Sequence, residues 1–328
     1  MAGNDVRVAG ALADFAAEGV VHRRAPLAPY TALRVGGPAE LLVKVTTARA
    51  LRQAVILARA RDLPCRVLGG GSNVLVSDAG LRGLVLLNRA GAITFGPDRV
   101  RAESGAALSR LARRCVSRGL AGLEWAVGLP GTVGGAVVGN AGAWGGDVAS
   151  VLARARVLEA NGQVSDWPAR RFHFRYRGSA LKAPAGPQIV VLDAEFDLAP
   201  ADRQALEARL AEITARRKAS QPSGATCGSV FKNPPGDYAG RLVEAAGLKG
   251  TRRGGAMISD VHANFVVNEG SATAADVKAL IDLAQRAVQE KFGIALELEI
   301  ELLGEWHDSA SPGRLHQSRE TGRSPGIG

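Results

Sequence analysis

Two stretches of small, uncharged residues constrain this chain more than any other feature in it. The first runs Leu68-Gly69-Gly70-Gly71-Ser72-Asn73-Val74-Leu75-Val76. Three consecutive glycines between apolar runs leave backbone N–H groups unshielded by side chains, and such concave nests hold phosphate oxygens. Ser72 and Asn73 add side-chain donors. A tight turn is the competing explanation. The dinucleotide fingerprint G-x-G-x-x-G does not apply, because its glycine order, its following helix and its acidic residue about 20 positions on are all missing. The second stretch is Gly128-Leu129-Pro130-Gly131-Thr132-Val133-Gly134-Gly135-Ala136-Val137-Val138-Gly139-Asn140-Ala141-Gly142-Ala143. Close approach of backbone to a large flat ligand requires such residues. So does a tightly packed crossing with no ligand, and this stretch alone does not choose between the two.

The rest of the composition narrows the classes. At roughly 150 residues per folding unit, 328 residues suggest about two. Hydrophobic residues make up 46%, enough to build cores. No apolar run reaches the roughly 18–20 residues that span a membrane. Met1 to Gly10 has no apolar signal core, so the expectation is a cytoplasmic chain without membrane insertion. Cys65, Cys115 and Cys227 form no C-x-x-C pair, and His22, His173, His262, His307 and His316 show no ligand spacing; neither a disulfide framework nor a metal site is expected. Net charge is +10, carried in the body by pairs such as Arg170–Arg171, Arg216–Arg217 and Arg252–Arg253. That balance suits polyanionic small ligands, nucleic acid or an anionic membrane, and equally an arginine-rich solvated surface. Aromatics are only 5%, which leaves few base-stacking platforms and argues against nucleic acid. Nothing points to an obligate protein partner.

Along the chain, strand and helix signals alternate first. Leu41–Val45 is an apolar run, Thr46 or Thr47 can cap a helix over residues 48–61, and Arg66–Leu68, Val74–Val76 and Leu84–Leu87 read as strands. Residues 106–118 carry a helical stripe of Leu108, Leu111, Ala112, Cys115 and Val116. Strands are expected at Ala153–Glu159 and Gln188–Phe196, then a linker helix over 201–218. A short helix at 239–246 precedes Gly247, and a longer one spans 273–291, with Thr273 and Asp276 as a capping-box variant. Leu296, Leu298, Ile300 and Leu302 alternate with Glu297, Glu299 and Glu301, which predicts a closing strand with the three glutamates on one face.

The two glycine loops, about sixty residues apart, together resemble the FAD-binding region of the vanillyl-alcohol-oxidase type. Within that group, several segments resemble the UDP-N-acetylenolpyruvoylglucosamine reductase family. They are Thr31-Ala32-Leu33-Arg34-Val35-Gly36-Gly37-Pro38-Ala39, Tyr176-Arg177-Gly178-Ser179, Gly228-Ser229-Val230-Phe231-Lys232-Asn233-Pro234, Ser259-Asp260-Val261-His262-Ala263-Asn264-Phe265 and Leu296-Glu297-Leu298-Glu299-Ile300. The likeness runs from about residue 20 to 305, and the shared order of the motifs is its most specific feature. It implies an α+β fold: two α/β lobes that bind FAD, at 20–90 and 91–200, and a C-terminal α+β substrate domain at 201–305, followed by a disordered tail at 306–328.

The resemblance also implies a reaction. NADPH reduces FAD, and the reduced cofactor passes hydride to the vinyl carbon of a UDP-sugar enolpyruvyl ether, a step of cell-wall precursor synthesis. Ser229 matches the family's proton donor, Arg177 the arginine facing the substrate carboxylate, and Glu299 the glutamate beside the developing enol. Read without context, Ser229 is a turn residue, Arg177 a surface arginine and Glu299 part of a solvated acidic face. Gly69, Gly70, Gly71, Ser72, Asn73, Gly128, Pro130, Gly131, Thr132, Gly134, Gly135, Ala136, Asn140 and Gly142 match the cofactor-binding positions. Lys218, Asn233 and Arg252 (or Arg253) lie where the family holds the UDP-sugar. Arg175 lies two residues before Arg177, on the same face of an extended segment, so the two are interchangeable at this level. Tyr30 stands where the family usually has Asn, and the chain lacks a tyrosine-bearing insertion between Lys182 and Leu198. It therefore resembles the branch without that loop. The alternative is a sugar or alcohol oxidase on the same FAD scaffold, which would lack Ser229 and Glu299 in their motifs.

Overall fold

The computed structural model describes Phe15, residues 20–182 and residues 189–306. The expectations for Met1–Gly10, for Gln188 and for 307–328 lie outside these residues, as does part of the segment where the tyrosine insertion is missing.

Three sheets carry most of the strand content. The first has the order β1-β2-β5-β3, built from β1 (Val21–Pro26), β2 (Pro38–Val45), β3 (Cys65–Leu68) and β5 (Leu81–Asn88), with β4 (Val74–Val76) outside it. Strand β2 pairs antiparallel with β1, and β5 pairs parallel with both β2 and β3. Leu41–Val43 in β2 and Leu84–Leu87 in β5 are continuous apolar runs because both faces of this sheet are covered there. Leu41, Val43, Val45, Leu84 and Leu86 pack on one side with helix α1 (Ala48–Ala60). Leu42, Val85 and Leu87 pack on the other with Leu27, Leu68 and Val76. Thr47 caps α1 as expected, its hydroxyl accepting from Ala50 N at 3.1 Å.

The second sheet has five strands, β6 (Ile93–Phe95), β7 (Arg99–Glu103), β8 (Leu152–Leu158), β9 (Val164–Pro168) and β10 (Val190–Asp197), in the order β9-β8-β10-β7-β6. Helix α2 (Leu108–Val116) buries the expected stripe against it. A third helix, α3 (Val133–Gly139), lies inside the second glycine stretch, where none was expected. Glycine costs about 1 kcal/mol in a helix, so the pattern argued against one. Packing overrides that cost. Val133 and Val137 are fully buried, and a Cβ on Gly134 would sit 2.8 Å from Ser104 Cβ.

After α4 (Arg203–Ser220), four short strands form the third sheet: β11 (Ala225–Ser229), β12 (Arg252–Arg253), β13 (Ala256–Ile258) and β14 (Phe265–Asn268), ordered β11-β14-β13-β12. They are too short to show a period in the sequence. Helices α5 (Ala239–Ala245) and α6 (Ala274–Phe292) share the core of this part of the molecule, and Gly247 ends α5 at φ 81°. The capping box of Thr273 and Asp276 is present.

The expected closing strand is corrected. Only Glu301–Leu303 (β15) is strand; Leu298 makes an isolated bridge to Phe231, and Glu299–Ile300 is a bend. The reason is a change of partner. Val230 O accepts from both Glu299 N (2.8 Å) and Ile300 N (3.4 Å), whereas Glu301 N donates to Asn73 O at 2.9 Å and β15 then pairs in parallel with β4. The segment leaves the C-terminal sheet and docks on the first glycine loop. Two further bonds tie these parts together: Asp78 accepts from Ala274 N and Ala275 N at the start of α6 (2.8 and 2.9 Å), and Asn268 Nδ2 donates to Leu33 O at 2.9 Å.

Candidate active site

The two glycine loops lie against one another. A Cβ on Gly69 would meet Thr132 Oγ1 at 2.3 Å, one on Gly70 would meet Gly131 Cα at 2.9 Å, and one on Gly131 would meet Ser72 Oγ at 2.7 Å. Gly71, at φ 59°, faces Tyr30 O, 2.1 Å from where its Cβ would be. The tight-crossing reading and the ligand reading therefore both hold. The crossing accounts for the glycine side chains. It leaves the N–H groups of Gly70, Gly71, Ser72, Gly131 and Thr132 without an acceptor among the described residues. Unpaired donors on two touching loops fit a dinucleotide diphosphate.

Not every residue of the loops faces that cradle. Asn73 Nδ2 donates to Glu299 O at 3.0 Å, so this side chain holds the acidic bend. Asn140 ends α3 in the left-handed conformation (φ 44°). Its side chain is consumed internally, donating to Asp147 Oδ2 and Arg175 O and accepting from Ala149 N. Gly142 contributes its carbonyl, which accepts from Arg177 Nη1 at 2.7 Å. Pro130, Gly135 and Ala136 belong to the same loop and helix, with no further contact to set them apart. Gly128 packs on the Arg217 side chain.

Ser229 is placed by an irregularity. Strand β11 pairs with β14 in one register at Thr226 and in another at Ser229, and Gly228 between them has φ 80°. This bulge re-aims the serine. The next residues are clamped: Val230 N donates to Asn264 O, Phe231 N to Asn264 Oδ1, and Asn264 Nδ2 to Phe231 O, all between 2.8 and 2.9 Å. Asn264 is thus a buried positioning residue. His262 packs on Phe265, with burial holding its imidazole below the usual range. Ser229 opens onto a cleft of about 400 Å³ that is also lined by Asn233, Tyr238, Val261, His262 and Asn264.

Because Val230 O binds the Glu299–Ile300 bend, the backbone next to Ser229 lies against the segment that carries Glu299. The bend separates the three glutamates expected on one face. Glu297 and Glu301 are side-chain exposed at 75% and 47%, whereas Glu299 is 17% exposed. Arg177 Nε lies 2.8 Å from Glu299 Oε1. The Nε–H is not aligned with any acceptor, so this contact is an ion pair rather than a directed hydrogen bond. Burial pushes the Glu299 carboxyl above the usual carboxylate range, against the pull of Arg177 and Lys182. Arg175 and Arg177 are not interchangeable. They sit on a tight turn closed by Arg175 N to Gly178 O and Gly178 N to Arg175 O, with Arg177 at φ 54°. A left-handed arginine costs about 1–2 kcal/mol, and strain of that kind collects at functional positions.

Other expected substrate residues disperse. Asn233 lines the cleft while its Oδ1 accepts from Ala239 N. Lys218 is exposed in the last turn of α4. Arg252 lies on the edge strand opposite β11 and is ion-paired with Glu269, so the structure does not bring it to Ser229. Lys182 was missed: its Nζ lies 3.4 Å from Glu299 O. The motif around Arg177 pointed to its neighbourhood, but contact with residue 299 is a tertiary fact.

Comparison with known proteins agrees with this architecture. Residues 39–167 match the FAD binding domain family, and residues 220–303 match the family described as UDP-N-acetylenolpyruvoylglucosamine reductase, C-terminal domain. The UDP-N-acetylenolpyruvoylglucosamine reductase of Chloroflexus aggregans is 45% identical over 284 residues, covering 85% of this chain and 96% of that protein. That of Anaeromyxobacter dehalogenans is 48% identical over 288 residues, covering 87% of this chain and 86% of that protein. Among solved structures, UDP-N-acetylenolpyruvylglucosamine reductase from Thermus caldophilus superposes with a TM-score of 0.73 at 38% identity, covering 87% of this chain and 98% of that one.

Proposed function

The chain belongs to the UDP-N-acetylenolpyruvoylglucosamine reductase family, and on that premise we propose that it converts UDP-N-acetyl-3-O-(1-carboxyvinyl)-glucosamine to UDP-N-acetylmuramate with NADPH as electron donor and Ser229 as proton donor. When bound in the cradle of the two glycine loops, FAD supplies the hydride chemistry, from NADPH to the vinyl carbon. The protein supplies the rest. Arg177, already fixed by Gly142 O and Glu299, keeps N–H donors for the substrate carboxylate. Hydride addition leaves the neighbouring carbon as an enolate, whose charge spreads into that carboxylate and is stabilised by the same guanidinium. Burial favours protonation of Glu299, and in its protonated form this carboxyl donates a hydrogen bond to the developing enol. The Ser229 hydroxyl protonates the carbanion carbon; a hydroxyl is a weak acid, but an enolate carbon is a strong base. Asn233 is proposed to reach the UDP-sugar from the cleft wall.

The observation that carries this reading is the joining of three distant segments. The bulge that aims Ser229, the bend that buries Glu299 and the strained turn that presents Arg177 meet beside the first glycine loop. A two-step colour experiment tests it. Under anaerobic conditions NADPH bleaches the flavin, and the enolpyruvyl ether restores the colour. Ser229→Ala leaves bleaching fast and slows recovery by about 10²–10⁴-fold. Failed bleaching with normal recovery would overturn the assignment of Ser229.

A further inference from the structure

We propose that Lys182 is a substrate-binding residue whose ammonium takes the enolpyruvyl carboxylate together with Arg177, so that the site selects carboxylated over uncarboxylated UDP-sugars. This rests on the function proposed above and assigns that site a residue the sequence motifs did not mark.

Charge accounting carries the argument. Four cations surround the acidic segment. Arg177 is paired with Glu299 at 2.8 Å, Lys232 with Glu297 at 2.9 Å, and Arg66 with Glu301 at 2.9 Å. Lys182 has no carboxylate within ion-pair distance among the described residues. The one polar contact of its ammonium among the described residues is the Glu299 carbonyl at 3.4 Å, longer than the roughly 2.9–3.0 Å of an ordinary N–H···O bond. The Glu299 and Glu301 carboxylates act on this ammonium only from beyond ion-pair distance. It is half-buried, and burial, then the nearby Lys232, hold its pKa below the usual lysine range against the pull of Glu299 and Glu301. A single long contact to a carbonyl leaves the donors of this cation for an anionic ligand.

The backbone also holds Lys182 in place. It ends the 3-10 turn Ala180–Lys182, directly after the buried Ser179. Ser179 Oγ donates to Val138 O (2.7 Å) and accepts from Leu181 N (3.2 Å), while Lys182 N donates to Ser179 O (3.1 Å). Arg177 and Lys182 therefore leave one short, pinned segment and converge on Glu299, at the reacting end of the site and not beside Asn233 in the cleft. That placement selects the carboxylate over the diphosphate as the anion.

The test compares two UDP-sugars that share the diphosphate and differ in the carboxylate. Binding of UDP-N-acetylmuramate and of UDP-N-acetylglucosamine to the flavin-loaded enzyme is followed by the perturbation of the flavin spectrum. Lys182→Met weakens UDP-N-acetylmuramate by about 10–100-fold, the range of a charge-assisted hydrogen bond, and leaves UDP-N-acetylglucosamine unchanged. Lys182→Arg retains most of the preference. Equal losses for both ligands would place Lys182 on the diphosphate and overturn the carboxylate assignment; no loss for either would overturn any ligand role. Lys182→Gln, closer to lysine in polarity, replaces the Met variant if that protein does not retain flavin. A wild-type enzyme that holds flavin but binds neither sugar would sink the parent function, an outcome distinct from failure of the lysine variants alone.

Discussion

Glu299 shows how one side chain acquires a chemistry its neighbours lack. Three glutamates alternate with aliphatics, and nothing local distinguishes them. The bend at 299–300 buries the middle one against Arg177 and leaves the others near solvent. Its raised pKa has a defined consequence for pH. A neutral carboxylic acid can donate to the enol and a carboxylate cannot, so the rate of colour recovery falls as pH rises through the Glu299 ionisation. Glu299→Gln keeps a neutral donor and removes that arm of the profile, and rapid mixing over a pH series measures it. The same shift acts on stability. A carboxyl whose pKa is higher folded than unfolded favours the native state below its unfolded pKa, and that contribution is lost as pH rises through the folded value. Legibility at this scale was uneven. Ser229, Arg177 and Glu299 stood out through their flanking motifs. The resemblance assigns Asn73 to the cofactor with the rest of its loop, and its donation to Glu299 O depends on a residue 226 positions away.

Elements aim these side chains. Strand β11 would present Ser229 in simple alternation with Cys227 were it regular; the shift at Cys227–Gly228 breaks that alternation. Gly228 has φ 80° and nothing within 4 Å of its missing Cβ, so Gly228→Ala meets no clash and reports conformation alone. The expected cost is about 1–2 kcal/mol from the left-handed backbone, read as a shift in denaturant midpoint. Recovery of colour slows more than bleaching, because the serine is re-aimed. Helices with clear apolar stripes, α1, α2 and α6, were legible in the sequence to within two residues. Helix α3 was not, since its glycines have poor helix propensity and only contact with Ser104 and the neighbouring core makes it form.

At the scale of the molecule, the C-terminal part is fastened to the first sheet rather than hung from a linker. The parallel pair β4–β15, the Asp78 bonds to α6 and the Asn268 bond to Leu33 all cross between them. Leu33, Val35 and Leu75 sit in the core otherwise built by residues after 226. Asp78→Ala removes an acceptor from two N–H groups at the start of a long helix, a loss of about 0.5–2 kcal/mol. Because the parts share core and ladder, that loss lowers one common unfolding midpoint. Circular dichroism and flavin fluorescence followed through a denaturant titration give coincident transitions for wild type and variant alike. Among the described residues no helix is long and apolar enough to cross a membrane.

Local order was written in the sequence: the two glycine loops, the capped amphipathic helices, the doubly buried strands β2 and β5, and the motifs around positions 177, 229 and 299. These follow from short-range rules, from backbone freedom at glycine to apolar spacing on a helix. Only tertiary structure decided which loop touches which, why Glu299 alone of three glutamates is buried, and that Lys182 reaches it. Those outcomes depend on contacts between segments more than a hundred residues apart, such as Arg177 to Glu299 and Asn73 to Glu299. No period or spacing encodes such pairs, because the free energy that forms them belongs to the assembled core.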